Sequence, residues 1–167
     1  MRPRVPHLAL VVTVLSFLGA APAAGAAIAF TGTTDQGQPL TMTMTATGRR
    51  VTLHFAYEVQ CVSGLAFRDA ETVRAPAHPT IRRRRVIGVK FSAEGAGQIQ
   101  ASTAEGQQVT GMLDVVVAGN VRLGTGNATG RIEATIALSN GDTCTTGTTP
   151  IRWTAAIVAT HPAKASR

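Results

Sequence analysis

The chain has 167 residues, with 16 Lys plus Arg against 9 Asp plus Glu, 44% apolar and 15% charged residues, and a formal net charge of +7. A chain of this size fits one domain, and its composition excludes a highly charged disordered polymer. Beyond the N-terminal segment no stretch approaches the roughly 20 apolar residues of a membrane-spanning helix.

Residues 1–26 carry Arg2 and Arg4, then an apolar run over 8–18, then small residues over 20–27. That order is a secretory signal peptide. Cleavage is expected after Ala26, at the end of the Ala24, Gly25, Ala26 triplet. The apolar run is too short for an uncleaved anchor, which needs about 20 residues. A secreted, extracellular chain starting near Ala27 retains 14 basic and 9 acidic residues. Four of the basic residues, Arg82, Arg83, Arg84 and Arg85, are consecutive. The basic character is therefore local, without the broad footprint of a specific nucleic-acid binder.

The remainder reads as strands. Apolar residues alternate at Leu40, Met42, Met44 and Ala46 against Thr41, Thr43, Thr45 and Thr47. The same period of two returns at Val51, Leu53, Phe55, Tyr57, Val59 and Cys61, and Gly48, Arg49 and Arg50 between the two runs predict a short hairpin turn. Further strands are predicted over 28–33, 86–92, 107–117, 130–138 and 151–159. Between Val62 and Pro79 the alternation weakens, giving an edge strand over 66–74 and a loop at Pro76, Ala77, His78 and Pro79. Asp142, following Asn140 and Gly141, reads as a turn residue. The expectation is one all-β domain over 27–159, an antiparallel sandwich or partly closed barrel of seven to eight strands, followed by a disordered tail over 160–167. No transmembrane segment is expected after signal cleavage.

Both cysteines, Cys61 and Cys144, lie in the exported part. An oxidising compartment makes a disulfide between them the expected state.

Phe30, Gly32, Thr33 and Gly37 in the first strands, a hairpin strand ending in Cys61, and the closing set Cys144, Gly147, Arg152, Trp153 and Ala155 resemble a widespread set of small secreted actinobacterial proteins of uncharacterised function. The resemblance spans roughly 28–159. It implies a β-sandwich or barrel with the two cysteines bonded, and supplies no catalytic residues.

No catalytic constellation is recognisable. His54 and Glu58 share a strand face but stand about 13 Å apart along an extended chain, too far for a dyad. His78 and His161 neighbour prolines outside any ligand-spaced cluster, so neither a metal site nor a cofactor is expected. Gly124, Gly126 and Gly130 do not open a helix, as a phosphate-binding loop would require. Trp153, the single tryptophan, sits among alternating apolar residues and is expected in the core near the disulfide.

The arginine run remains. Its guanidinium forks suit phosphates, sulfates or carboxylates, although a charge run can also simply protect a strand edge. The function expected is a non-enzymatic binding or envelope-associated domain, contacting an anionic cell-envelope polymer or surface through Arg82, Arg83, Arg84 and Arg85 with help from Arg49 and Arg50. The alternatives are a secreted hydrolase with an unrecognised site and a structural or inhibitory protein-binding domain.

Overall fold

The alternation written into the sequence becomes an antiparallel all-β architecture in the computed structural model, which describes residues 27–102 and 108–158. The expected signal peptide and the expected disordered tail lie outside the described residues. The described residues form nine strands: β1 Ile28–Thr34, β2 Pro39–Met44, β3 Arg50–Cys61, β4 Ala66–Arg82, β5 Arg85–Ser102, β6 Gln108–Arg122, β7 Asn127–Leu138, β8 Thr143–Thr145 and β9 Ile151–Ile157. β1 to β7 pair in sequence order, β9 lies between β7 and β1, and the β2–β3 pairing closes the ladder into a ring. The short β8 spans from β3 to β7 and pairs with both.

Because every pairing is antiparallel, successive turns alternate between two ends. The turns at 45–49, 83–84 and 123–126 share one end. Those at 35–38, 62–65 and 139–142 share the other, where Cys61 and Cys144 are directly paired and bonded. The two turns flanking this disulfide are also tied: the Ser63 hydroxyl donates to an Asp142 carboxylate oxygen, and the Ser63 N–H donates to its other oxygen at 3.3 Å. These hydrogen bonds hold the Asp142 carboxyl below its ordinary pKa.

Alternation sorts the side chains. Val51, Leu53, Phe55, Tyr57, Val59 and Cys61 of β3 are all buried, and the same face of every other long strand joins them in one core. Trp153 is 1% exposed and stacks on Phe91, with ring centroids 6.2 Å apart. The space for these rings comes from Gly119 and Gly130, paired across β6 and β7. A Cβ on Gly130 would stand 2.4 Å from the indole and 2.1 Å from the Ala118 carbonyl oxygen. The indole is in the core as expected, but not beside the disulfide. Trp153 pairs with Gly130 and Cys144 with Ile136, which separates them by about 20 Å along β7.

The expected loop over 76–79 is corrected: β4 runs unbroken through it. Ala77 donates its N–H to the Arg49 carbonyl at 3.0 Å, so backbone alternation aims position 76 at β5 and position 79 at the β3 side. The β4–β5 ladder begins only at Ala77–Phe91, and β3 begins at Arg50, opposite Pro76. Both prolines therefore sit where the ladder requires no donor.

β4 and β5 pair only from Ala77–Phe91 to Arg82–Arg85. Residues 66–76 pair with β3 alone, and residues 92–102 with β6 alone. The ring thus carries a seam without ladder hydrogen bonds, as an edge strand over 66–74 implies. Across it a Cβ on Gly95 would lie 3.8 Å from a Val73 methyl.

Candidate functional site

A two-residue hairpin turn of type I′ has positive φ at both central positions, conformations that Asn and Gly reach most readily. The β4–β5 hairpin places Arg83 at φ 49° and Arg84 at φ 63° instead, between the directly paired Arg82 and Arg85. All four arginines are exposed. Left-handed backbone costs an L-residue roughly 1 kcal/mol or more, and four guanidinium groups at one tip add mutual repulsion. Neither local propensity nor charge favours this turn.

The neighbouring turns carry the same sign. Gly48 packs under the hairpin base, where a Cβ would meet the Val89 side chain at 2.9 Å, and this brings Arg49 and Arg50 alongside. Leu123 donates its N–H to the Ile87 carbonyl at 3.1 Å, fixing the β6–β7 turn and Arg122 on the other flank. Arg49, Arg50, Arg82, Arg83, Arg84, Arg85 and Arg122 are exposed at one end of the ring. No carboxylate occupies its three turns. Glu71, Glu94 and Glu133 stand five or more residues up their strands from this end, which is about 17 Å or more. The ion pairs of the described residues, Arg68–Glu58 at 3.6 Å and Arg131–Glu133 at 3.4 Å, involve none of these seven arginines.

An apolar rim accompanies the charge. Ile87 has no partner between the Thr80–Gly88 and Ile81–Val86 pairs, a bulge that bends the hairpin. Ile81 is 63% and Ile87 44% exposed, and Ile157 and Val158 are exposed at the same end. Ile157 is tied to the β6–β7 turn by its N–H to the Gly126 carbonyl at 2.8 Å.

The four consecutive arginines and the Arg49, Arg50 pair are therefore together. Arg122 joins them without having been singled out by sequence. The signal was available in strand polarity, since alternate turns of an antiparallel meander share an end, but it requires the strand count between 86 and 122. The histidines do not converge here. His54 lies on the outer face, with Nδ1 hydrogen-bonded to the Thr72 hydroxyl at 2.7 Å. Glu58 pairs with Arg68 and receives nothing from His54. His78 is exposed on β4 opposite Lys90, and His161 lies outside the described residues. Cys61, Cys144 and Asp142 converge, but both sulfurs are consumed by the disulfide.

No family model matches the chain, and no curated protein or solved structure matches it.

Proposed function

We propose that the chain is a secreted, non-enzymatic domain that docks on an anionic cell-envelope surface through its arginine-bearing end. The observation that carries this reading is the convergence of seven exposed arginines on a carboxylate-free end, two of them held at positive φ. Backbone strain without a packing gain suggests a role for the residues that bear it. Arginine forks bind phosphate oxygens in pairs, and the exposed Ile81 and Ile87 beside them favour phospholipid head groups over a soluble polyanion. Export is supported by the signal-like N-terminus, by the disulfide, and by the resemblance to small secreted actinobacterial proteins.

The test is co-sedimentation with phosphatidylglycerol-containing vesicles, with phosphatidylcholine vesicles and with isolated wall polymer, from low to high salt. Salt-sensitive binding to the anionic vesicles is expected. Salt-sensitive binding to wall polymer alone would replace the lipid by the polymer. Absence of binding to either at low salt would sink the proposal.

A further inference from the structure

Inside the ring, away from the arginines, lies a second group of residues that the docking surface does not use. On β4 the inward face alternates through Phe67, Asp69, Glu71, Val73, Ala75 and Ala77. Its last three members are buried apolar residues, so the two carboxylates stand on the core face of the strand, half-buried. Asp69 is directly opposite Tyr57, and Glu71 directly opposite Phe55. Directly opposed Cβ atoms lie about 5 Å apart. Tyr57 is 0% exposed, and its hydroxyl finds no hydrogen-bond partner. A buried donor left unmade is costly.

Asp69 accepts one hydrogen bond, from the Ala70 N–H at 2.8 Å, and neither carboxylate is in an ion pair of the described residues. The Phe55 and Tyr57 rings form one wall, centroids 5.8 Å apart. Across the seam the opposite wall is β5, whose inward positions are Ala93, Gly95, Gly97 and the partly buried Ile99; the first three take up little room, and a Cβ on Gly97 would meet nothing within 4 Å. Between the walls runs the seam, where no ladder hydrogen bond must break for the strands to part.

We propose that Tyr57, Asp69 and Glu71 form an internal binding site for a small organic ammonium ion, entered through the seam between β4 and β5. Three features select this ligand class. Two carboxylates on one strand face, unmatched by a cation, call for positive charge. An ammonium offers three donors, which suit the two carboxylates and a phenol lone pair, while the phenol proton turns to a carboxylate oxygen. Aromatic walls add cation–π attraction for an organic cation. The carboxylates already act on the hydroxyl, since burial first and then the charges of Asp69 and Glu71 raise the Tyr57 pKa. The phenol stays protonated, a poor ligand for a metal ion but a competent hydrogen-bond donor.

The test is an amide NMR titration of the chain from residue 27 onward with n-butylammonium chloride, against potassium chloride at matched ionic strength, and with calcium chloride in parallel. Saturable shifts are expected at Tyr57, over 67–73 and over 93–97 with butylammonium only. Asp69→Asn with Glu71→Gln should weaken binding by at least about tenfold, as loss of charged partners implies. Tyr57→Phe, which retains the ring and its packing, should weaken it by about fivefold to tenfold. If the double variant does not fold, the Tyr57→Phe arm decides. No saturable shift, or equal affinity in Tyr57→Phe, would overturn the site. Saturation by calcium without butylammonium would overturn the ligand class.

Discussion

Replacing Arg83 and Arg84 by Asn and Gly tests the strained turn and its purpose in one variant. Each arginine occupies the left-handed region, at a cost of about 1 kcal/mol. Asn-Gly is the pair this turn geometry favours. Relief at both positions amounts to about 2 kcal/mol, reduced by about 0.5–1 kcal/mol for the freedom that Gly adds to the unfolded chain. The net gain of about 1–1.5 kcal/mol corresponds to a rise in Tm of roughly 4–6 °C for a domain of this size. Docking should move the other way. Each arginine near an anionic bilayer contributes about 1 kcal/mol, so losing two of the seven should weaken vesicle binding about thirtyfold.

The assays are thermal melts and co-sedimentation with phosphatidylglycerol vesicles. Melting at high salt separates the two causes of instability, because repulsion is screened there and backbone strain is not. The Tm gain should persist at high salt. A gain confined to low salt would assign the instability to charge alone, and an unchanged Tm would refute the strain. A stabilised variant that binds vesicles as tightly as the parent would refute the docking role.

The other predictions concern the core and the disulfide. Cys61→Ser with Cys144→Ser should destabilise the domain by up to about 4.5 kcal/mol, the chain-entropy value for a bond closing 83 residues; denaturant unfolding that shows no loss would contradict it. Gly130→Ala drives a methyl into the Ala118 carbonyl and the indole, which should cost about 3 kcal/mol and shift the fluorescence of the single tryptophan. The single tyrosine makes a phenol titration unambiguous. The folded pKa of Tyr57 lies above the unfolded value of 10.0, so the unfolded chain loses its proton first. The contribution of Tyr57 to stability is then level below pH about 10 and falls above it, by up to about 1.4 kcal/mol per pH unit. Near-UV absorbance should show no phenolate until unfolding, and ionisation near pH 10 in folded protein would refute the burial.

How much could be read in advance follows from which face each residue type occupies. The β2–β3 hairpin was legible because Met42, Met44, Val51, Leu53 and Phe55 are apolar and inward, while threonines and His54 are outward. β5 was expected to end near Ser92 but runs to Ser102. Its inward positions there begin with Ala93, Gly95 and Gly97, too small to mark a buried face, and only Ile99 after them is large and apolar. β8 has three residues, too few for any period to register. At the basic end the consecutive arginines were visible as a run, whereas the contribution of Arg122 depends on the register of β5 with β6.

The weak alternation over 66–74, the expected edge strand, has a more specific cause. Residues 69 and 71 are inward yet charged, and residues 66 and 70 are outward yet apolar, so the pattern of β4 is inverted around the position that faces Tyr57. A strand with carboxylates on its core face either loses stability or has something to neutralise them. Pro76 lies where the β4–β5 ladder ends, and it has no N–H to offer β5 on the side of Asp69 and Glu71. The residues that blurred the sequence pattern are thus the same ones that keep the seam open and its wall acidic. Asp69→Leu with Glu71→Leu would restore ordinary alternation, and should raise the stability of the domain while abolishing the ammonium response. A variant that gained no stability would mean that the two carboxylates are already solvated in place, with no unmet demand for a cation.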